Sequence, residues 1–341
     1  MKKPFFAKKS AFFTLILIVF SGIFSSVLAS DETGHEAEPF NASEVILHHV
    51  MDDHQWHFAD WFVLPLPVIV YSSEKGLDIF SSGRFYDEHH NTIEYNGYKL
   101  DHNHIYLADS GKAVLDLSIT KNVAMLFINA ALLLFVFLSV AKGFKKNQGK
   151  APAGLQSFFE PIILFVRDEI VKPNIGHHYE RFMPYMLTLF FFILFGNLLG
   201  LLPGAGNLTG NIAVTMTLAV LTFLITNFNG NKSYWGHVFW TPGVPHWLRV
   251  VILPVEVVGL FTKPFSLMIR LFVAITAGHI VILGIICLTF IFSSVAVGIG
   301  ASLISLFINL IELLVAGIQA YVFTMFSSLY IGMAVEEHDH H

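Results

Sequence analysis

From residue 123 to the C-terminus, apolar stretches alternate with short polar breaks. Five of them are long enough to cross a hydrocarbon core of ~30 Å, which takes about 20 helical residues. They cover residues 123–140, 182–202, 211–227, 248–292 and 298–331. The fourth contains Pro254 and Pro264 and would reach ~65 Å if helical throughout, about twice the hydrocarbon thickness, so it must tilt, bend at the prolines, or both. Between the first two spans, residues 155–171 set Phe158, Phe159, Ile162, Phe165 and Val166 on one side and Glu160, Arg167 and Asp168 toward another. That pattern predicts an amphipathic helix, by default a plain one resting on the membrane domain, which could lie flat at the interface. Upstream the pattern changes. Residues 30–117 hold only short apolar runs, such as 62–71 and 77–80, punctuated by Gly, Asn and Ser, and predict a small domain with a few strands. Residues 1–29 place Lys2, Lys3, Lys8 and Lys9 before an apolar run and then the small-residue stretch ending Val27-Leu28-Ala29. This reads as a cleaved secretory signal peptide; an uncleaved first anchor is the other reading, and under both Ser30 onward lies outside the cytoplasm.

Composition agrees with the pattern. Of 341 residues, 54% are hydrophobic and 13% charged, with a mean hydropathy of +0.62, which excludes a disordered, fibrous or ordinary soluble chain. The single cysteine, Cys287, sits in an apolar run, so there is no intramolecular disulfide framework and no cluster of thiolate ligands. The net charge of −5 is a cancellation: residues 1–29 carry +4, residues 30–117 carry −12 from sixteen Asp/Glu against four Lys/Arg, and residues 118–341 carry +3. Between the first and second spans lie Lys142, Lys145, Lys146, Lys150, Arg167, Lys172 and Arg181, and the positive-inside bias makes that loop cytoplasmic. With residues 30–117 outside, five crossings leave the C-terminal tail in the cytoplasm. The expected architecture is an all-α polytopic membrane protein of five transmembrane helices with a long tilted C-terminal helical hairpin (118–341), preceded by a small, polar, acidic and histidine-rich exported domain (30–117) and the signal peptide (1–29).

Nine of the seventeen histidines fall in the exported domain. In the stretch from His48 to His57, His49 with Asp53, and Asp53 with His57, stand four apart and could share a helix face, a spacing that can hold a divalent metal. A solvated polar segment is the plainer reading, since no cysteine and no HExxH pattern accompanies them. These imidazoles could equally buffer protons at the outer surface.

From residue 182 to 334 only six Asp, Glu, Lys or Arg residues occur. Lys232 and Arg249 belong to a connection, while Glu256, Lys263, Arg270 and Glu312 lie inside apolar stretches. Each costs roughly 2.5 to 3.5 kcal/mol at mid-bilayer, so each is by default a functional candidate. Lys263 can snorkel or shed its proton; Arg270 cannot deprotonate. Glu256, Lys263 and Arg270 are seven apart, which keeps them on one face of a straight helix. If the last two stretches form an antiparallel hairpin turning near residue 295, one register puts Arg270 level with Gln319 and His279 level with Glu312. Asn211, Thr215, Thr222 and Thr226 make a further polar row, suited either to interhelical hydrogen bonds or to a water-lined path.

The run Lys263-Pro264-Phe265-Ser266-Leu267-Met268-Ile269-Arg270-Leu271-Phe272, then Ala277-Gly278-His279, Glu312 and Gln319-Ala320-Tyr321-Val322-Phe323, resembles the a subunit of F-type ATP synthase, the stator part of its membrane motor. The resemblance extends over Gly196-Asn197-Leu198-Leu199-Gly200-Leu201-Leu202-Pro203 and Gly210-Asn211. It implies that Arg270 is the essential arginine facing the ring of c subunits, with Gln319 beside it. His279 and Glu312 would belong to a half-channel on the periplasmic side and Glu256 to the cytoplasmic one, with Lys263, Asn211, Thr215 and Asn197 as supporting polar positions. It also implies c-ring, peripheral-stalk b subunit, other FO/F1 and lipid partners, no nucleic acid and no cofactor, and a bacterial inner membrane location. The chain itself would be non-catalytic. Where the family usually has a small residue and then Asn after Arg-Leu-Phe, this chain has Val273 and Ala274.

Two other classes compete. A proton-coupled metal exporter would use the histidine-rich domain for capture but should show inverted repeats with broken helices, and no such internal symmetry is present. An intramembrane hydrolase should carry a Gly-x-Ser-x-Gly or His-Glu-x-x-His pattern, and neither occurs.

Overall fold

Seven short strands precede a set of long helices in the computed structural model, which describes residues 42, 43, 46, 51–59, 62–87, 92–101, 103–202, 204–239 and 245–336. The leader lies outside the described residues, as do His48, His49 and residues 337–341. All described residues belong to one compact unit within Ala42–His341.

The strands are β1 (Gln55–Ala59), β2 (Phe62–Pro65), β3 (Pro67–Ser72), β4 (Gly76–Ser81), β5 (Tyr98–Asp101), β6 (His104–Leu107) and β7 (Leu115–Asp116). They form two antiparallel hairpins, β1-β2 and β5-β6, and a three-stranded sheet of order β4-β3-β7. Alternation in β3 sends Val68 and Val70 inward, where they pack with Phe85, Tyr98, Leu100, Ile105 and Leu107 in a small core. Burial raises the Tyr98 phenol above its ordinary value, and its hydrogen bond to Asp78 Oδ2 at 2.7 Å adds to the shift.

The helices are α1 (Lys121–Lys146), α2 (Leu155–Phe165), α3 (Tyr179–Gly200), α4 (Ile212–Phe228), α5 (Lys232–Phe239), α6 (His246–Phe292) and α7 (Val295–Val335). Among the described residues, four helical stretches are long and apolar enough to cross a membrane, and five if α4 and α5, bent by 104°, make one broken span. The expected polytopic all-helical membrane fold is thus present. In α6 the helix runs through both Pro254 and Pro264 for 47 residues, about 70 Å at 1.5 Å per residue. Ser293, left-handed at φ +43, and Ser294 make the turn into the 41-residue α7.

Residues 155–171 differ from the single amphipathic helix predicted. After Phe165 the backbone widens into a π-helical segment, Val166–Val171, so the inward positions are Phe159, Val166 and Ile170, while Phe158 and Phe165 are exposed. The Ile170 carbonyl accepts from Asn174 Nδ2 at 2.7 Å and from Ser328 Oγ at 3.3 Å, which ties this segment to α7.

α3 is the centre of the helical part. Half of the apolar window in Leu155–Gly200 is buried, against 22% in α1, α6 and α7, so those three form the lipid- or partner-facing perimeter. Phe191 packs edge-on against Phe137 and Phe159 at 4.8 and 5.9 Å, an arrangement favoured by the ring quadrupole.

The outer strands are joined to α1 by a set of capping bonds. Asp52 accepts from the Asn122 amide at 3.0 Å and from Thr120 Oγ1 at 2.7 Å, supplying from a distant residue the carboxylate that a helix N-terminus attracts. The Trp56 indole donates to the Gly204 carbonyl at 2.7 Å.

Candidate functional site

The intramembrane charges lie along α6 and α7, which run antiparallel through the turn at Ser293. On α6 the Arg270 guanidinium lies over the Phe326 ring of α7, its carbon 4.5 Å from the ring centroid. Two turns earlier Lys263 Nζ lies 5.5 Å from the Tyr330 centroid. Two cations seven residues apart thus meet two rings four residues apart, and a desolvated cation gains stabilisation from the face of an aromatic ring. Arg270 Nη1 is buried and makes no hydrogen bond among the described residues. Gln319, expected at the same level, is half-buried two turns from Phe326 and carries no hydrogen bond to Arg270.

Toward the turn, Glu312 is 5% exposed and neither of its carboxyl oxygens has a hydrogen-bond partner. It occupies a niche left by Gly278: a methyl group there would land on Oε1 and come within 2.8 Å of Cδ. His279, the next residue, is half-buried. Glu312 and His279 are therefore at one depth without a hydrogen bond between them. Two hydroxyls nearby in the hairpin, Thr276 Oγ1 and Ser305 Oγ, are also buried without a partner.

Toward the other end of the hairpin, Glu256 is half-buried and within electrostatic reach of Lys263 and of Tyr234 on α5. A cleft with about 270 Å³ of empty space opens there, and Thr222, Thr226, Asn227, Tyr234, Lys263 and Tyr330 give it its polar lining. Along α6 the order is Glu256, Lys263, Arg270, His279, spread over ~35 Å of helix at 1.5 Å per residue.

The remaining sequence candidates serve packing and capping. Asn197 is fully buried, accepts from Thr209 Oγ1 at 2.7 Å and donates to the Ala316 carbonyl at 3.2 Å, bridging α3 and α7. Asn211 caps α4 by accepting from the Ala213 amide. Thr215, Thr222 and Thr226 are buried and donate to carbonyls of their own helix, and Thr222 also bonds Tyr185 at 2.8 Å. Only Thr222 and Thr226 of that row reach the cleft.

In the outer domain the helix-face reading of Asp53 and His57 is overturned. Residues Gln55–Ala59 form a strand, because Trp56, His57 and Phe58 favour extended backbone, so four-residue spacing no longer aligns the side chains. Asp53 accepts instead from the Gln55 amide at 3.2 Å. His49 lies outside the described residues, among which no group of three possible metal ligands occurs.

Residues 123–332 match the model of the family described as ATP synthase A chain. The chain belongs to the ATP synthase A chain family. A subunit a of Chlorobaculum tepidum, "ATP synthase subunit a 2", is 46% identical over 245 residues, covering 70% of this chain and 69% of that protein. The ATP synthase subunit a of Chloroherpeton thalassium is 38% identical over 312 residues, 90% of this chain and 80% of that one. That of an Anaeromyxobacter species is 40% identical over 322 residues, 92% and 74% respectively. Residues 45–126 match a second family, a domain of unknown function, whose match runs from the outer strands into the first turns of α1. As an A chain this is an FO a subunit of an F-type ATP synthase, the proton-translocating stator component, and non-catalytic in itself. Phe326 and Tyr330, which meet the two cations, and Gly278, which makes room for Glu312, are the positions around these charges that the sequence did not single out.

Proposed function

We propose that the chain carries protons across the membrane through two offset polar regions separated by Arg270. The observation that supports this is the arrangement of ionisable groups along the hairpin: Glu312 with His279 toward the Ser293 turn, Glu256 with Lys263 and Tyr234 toward the other end, and Arg270 between them. A carboxyl group on a partner helix of the c-ring must be neutral to move through lipid and ionised to exchange its proton with water. A fixed guanidinium favours the ionised form of a carboxyl that approaches it and so releases the proton. Being always charged, Arg270 also blocks direct proton flow from one region to the other. Each proton that crosses supplies ~2.3 kcal/mol per 100 mV to ring rotation.

In this reading His279 and Glu312 relay protons from the periplasmic side, and Gln319 lies beside the path of the ring. Glu256 borders the cytoplasmic exit, with Lys263 near it. Asn197, Asn211 and Thr215 hold the helices that frame both regions. The subunit sits in the bacterial inner membrane with residues 30–117 periplasmic and the C-terminus cytoplasmic, after removal of a signal peptide, and works with the c-ring, the b subunits and the rest of the complex. The test is Arg270→Ala in the assembled enzyme: proton-driven ATP synthesis should fall to background while the detached catalytic sector still hydrolyses ATP. Retained coupled synthesis would overturn the assignment.

A further inference from the structure

The β4-β3-β7 sheet has a second face that stays largely open among the described residues. Cross-strand pairing lines up Tyr71 with Leu77 and Leu115, Ile69 with Ile79, and Pro67 with Ser81. The Leu117 amide donates to the Ile69 carbonyl at 2.8 Å and the Ile119 amide to that of Pro67 at 3.1 Å, which extends the ladder to Ile119. The outward side chains therefore make a three-by-three grid: Leu77, Tyr71, Leu115; Ile79, Ile69, Leu117; Ser81, Pro67, Ile119. Eight of these nine are apolar or aromatic and none is charged, in a segment whose sixteen carboxylates and four cations leave it at −12. Exposure runs from 49% at Tyr71 to 66% at Ile79, with Leu77, Leu115 and Leu117 between, while Ile69 at the centre and Ile119 are half-buried. A contiguous apolar face of this kind on a small domain marks an interaction surface.

What it meets is indicated by where the grid leads. Ile119 precedes Thr120, the N-cap of α1. The buried side of this connection faces the segment 52–56: Asp116 bonds His54, the Asn122 amide bonds Asp52, and Met125 packs with Trp56. The grid residues Leu117 and Ile119 lie on the opposite side of the strand, and on α1 the outward residues are Val123 and Phe127. The apolar grid is thus continuous with the lipid-facing side of a membrane helix.

Depth strengthens the argument. The apolar run of α1, residues 123–140, spans ~27 Å at 1.5 Å per residue, close to the ~30 Å hydrocarbon core, which puts Val123 at its edge. Ile119 then falls in the headgroup layer, which is about 5 to 7 Å thick on each side. Strand rise of ~3.3 Å per residue carries Leu115 some 13 Å farther along the ladder. An upright sheet would lift the Leu77-Tyr71-Leu115 row into water, whereas a leaning one would bury all three rows. The match to the domain of unknown function includes both the sheet and the start of α1, so the face and the helix travel together as one module.

We propose that this sheet face is a lipid-docking surface, lying on the headgroup–acyl boundary beside α1 with Tyr71 at its outer edge, a position suited to an amphipathic ring. The domain would brace the first membrane helix against the bilayer. The proposal is independent of the proton path.

The test places an environment-sensitive fluorophore on single cysteines in a Cys287→Ser background of the assembled, reconstituted enzyme: Leu77→Cys, Ile79→Cys and Leu117→Cys, with Lys99→Cys on another strand as control. The vesicles are phosphatidylethanolamine and phosphatidylglycerol with or without brominated acyl chains. Brominated lipid should quench the three grid positions by about twofold or more and leave Lys99→Cys unchanged. Absence of quenching with free reactivity toward a water-soluble maleimide would overturn the proposal by showing a solvated face. Absence of quenching with protection from that maleimide would overturn it in favour of a protein partner. A disturbed sheet is recognised separately by loss of the amide I β-band, and Ile79→Trp, quenched by the same lipids, then supplies the reading without a probe.

Discussion

The outer strands and the α6-α7 hairpin treat ionisable groups in opposite ways. Four described carboxylates of the outer domain are engaged: Asp52 caps α1, Asp53 accepts from the Gln55 amide, Asp78 accepts from Tyr98, and Asp116 bonds His54 at 2.9 Å. One atom stands apart, His54 Nδ1, which is buried without a partner. In the hairpin, Glu312 is buried with both oxygens unengaged, and Arg270 keeps Nη1 unbonded above a ring. Burying a polar group without a hydrogen bond costs free energy. In the proposed path, the open Glu312 carboxyl and Arg270 guanidinium are the groups left to meet something outside the chain, such as water or a partner's carboxyl. Paired acids in the outer strands tie structure together; the unpaired Glu312 belongs to the path proposed above.

The largest effect expected from disturbing that contrast short of removing Arg270 is at Gly278. A side chain there meets the Glu312 carboxyl, and overpacking of this kind costs ~1 to 3 kcal/mol. Gly278→Val should lower ATP-driven proton pumping by roughly tenfold or more, while Gly284→Ala, whose added methyl meets open space, should leave it unchanged. Equal rates for both variants, measured by quenching of a pH-sensitive dye in vesicles, would show that the niche around Glu312 has no part in transport.

Phe326 comes next. If its ring holds the guanidinium in place, Phe326→Leu should remove about 1 kcal/mol of cation–π stabilisation and slow coupled synthesis roughly fivefold. Phe326→Tyr, which keeps the ring, should not. A merely structural role would make both variants lower the amount of assembled complex without changing the rate per complex, so rate and assembly are measured together. Position 274, alanine here where the family usually has Asn, lies one turn beyond Arg270, which leaves the ring as the neighbour the structure supplies.

How far these features could be read in advance depended on their cost. The spans were legible because backbone in lipid must satisfy its own hydrogen bonds, which forces long apolar runs. The four intramembrane charges were legible because each is expensive. Phe326 was not, since a ring in a chain with 34 phenylalanines has the same sequence signature whether it faces lipid or a cation. The π-helical segment at Val166–Val171 was hidden because nothing in its apolar pattern distinguishes five-residue from four-residue bonding. The grid was hidden too: Pro67–Ser72 is apolar on both faces, so alternation could not separate the packed Val68 and Val70 from the half-buried Ile69 and exposed Tyr71. At Asp53 and His57 a four-residue spacing was read on a helix, and the extended preference of Trp56 and Phe58 prevailed instead.

The smallest effect concerns the paired side of the comparison. Burial on its own raises the Asp116 carboxyl, but hydrogen bonds from His54 and from Ser118 outweigh it, and the net value lies below the ordinary carboxylate range. Because the folded value is lower than the unfolded one, the stabilisation is complete above the unfolded value of about 3.9 and is lost as the pH falls through the depressed folded value. As far as the Asp116 carboxyl is concerned, the outer strands should therefore keep their stability down to about pH 5 and weaken below about pH 4. Asp116→Asn should lower the melting temperature of the amide I β-band by a few degrees at neutral pH, since a part-buried hydrogen-bonded pair contributes on the order of 1 kcal/mol, and should flatten the loss below pH 4. An unchanged acid profile in that variant would mean that the His54–Asp116 bond, though formed, does not stabilise the strands beside α1, and that the contrast between paired and open carboxylates rests on geometry without an energetic counterpart.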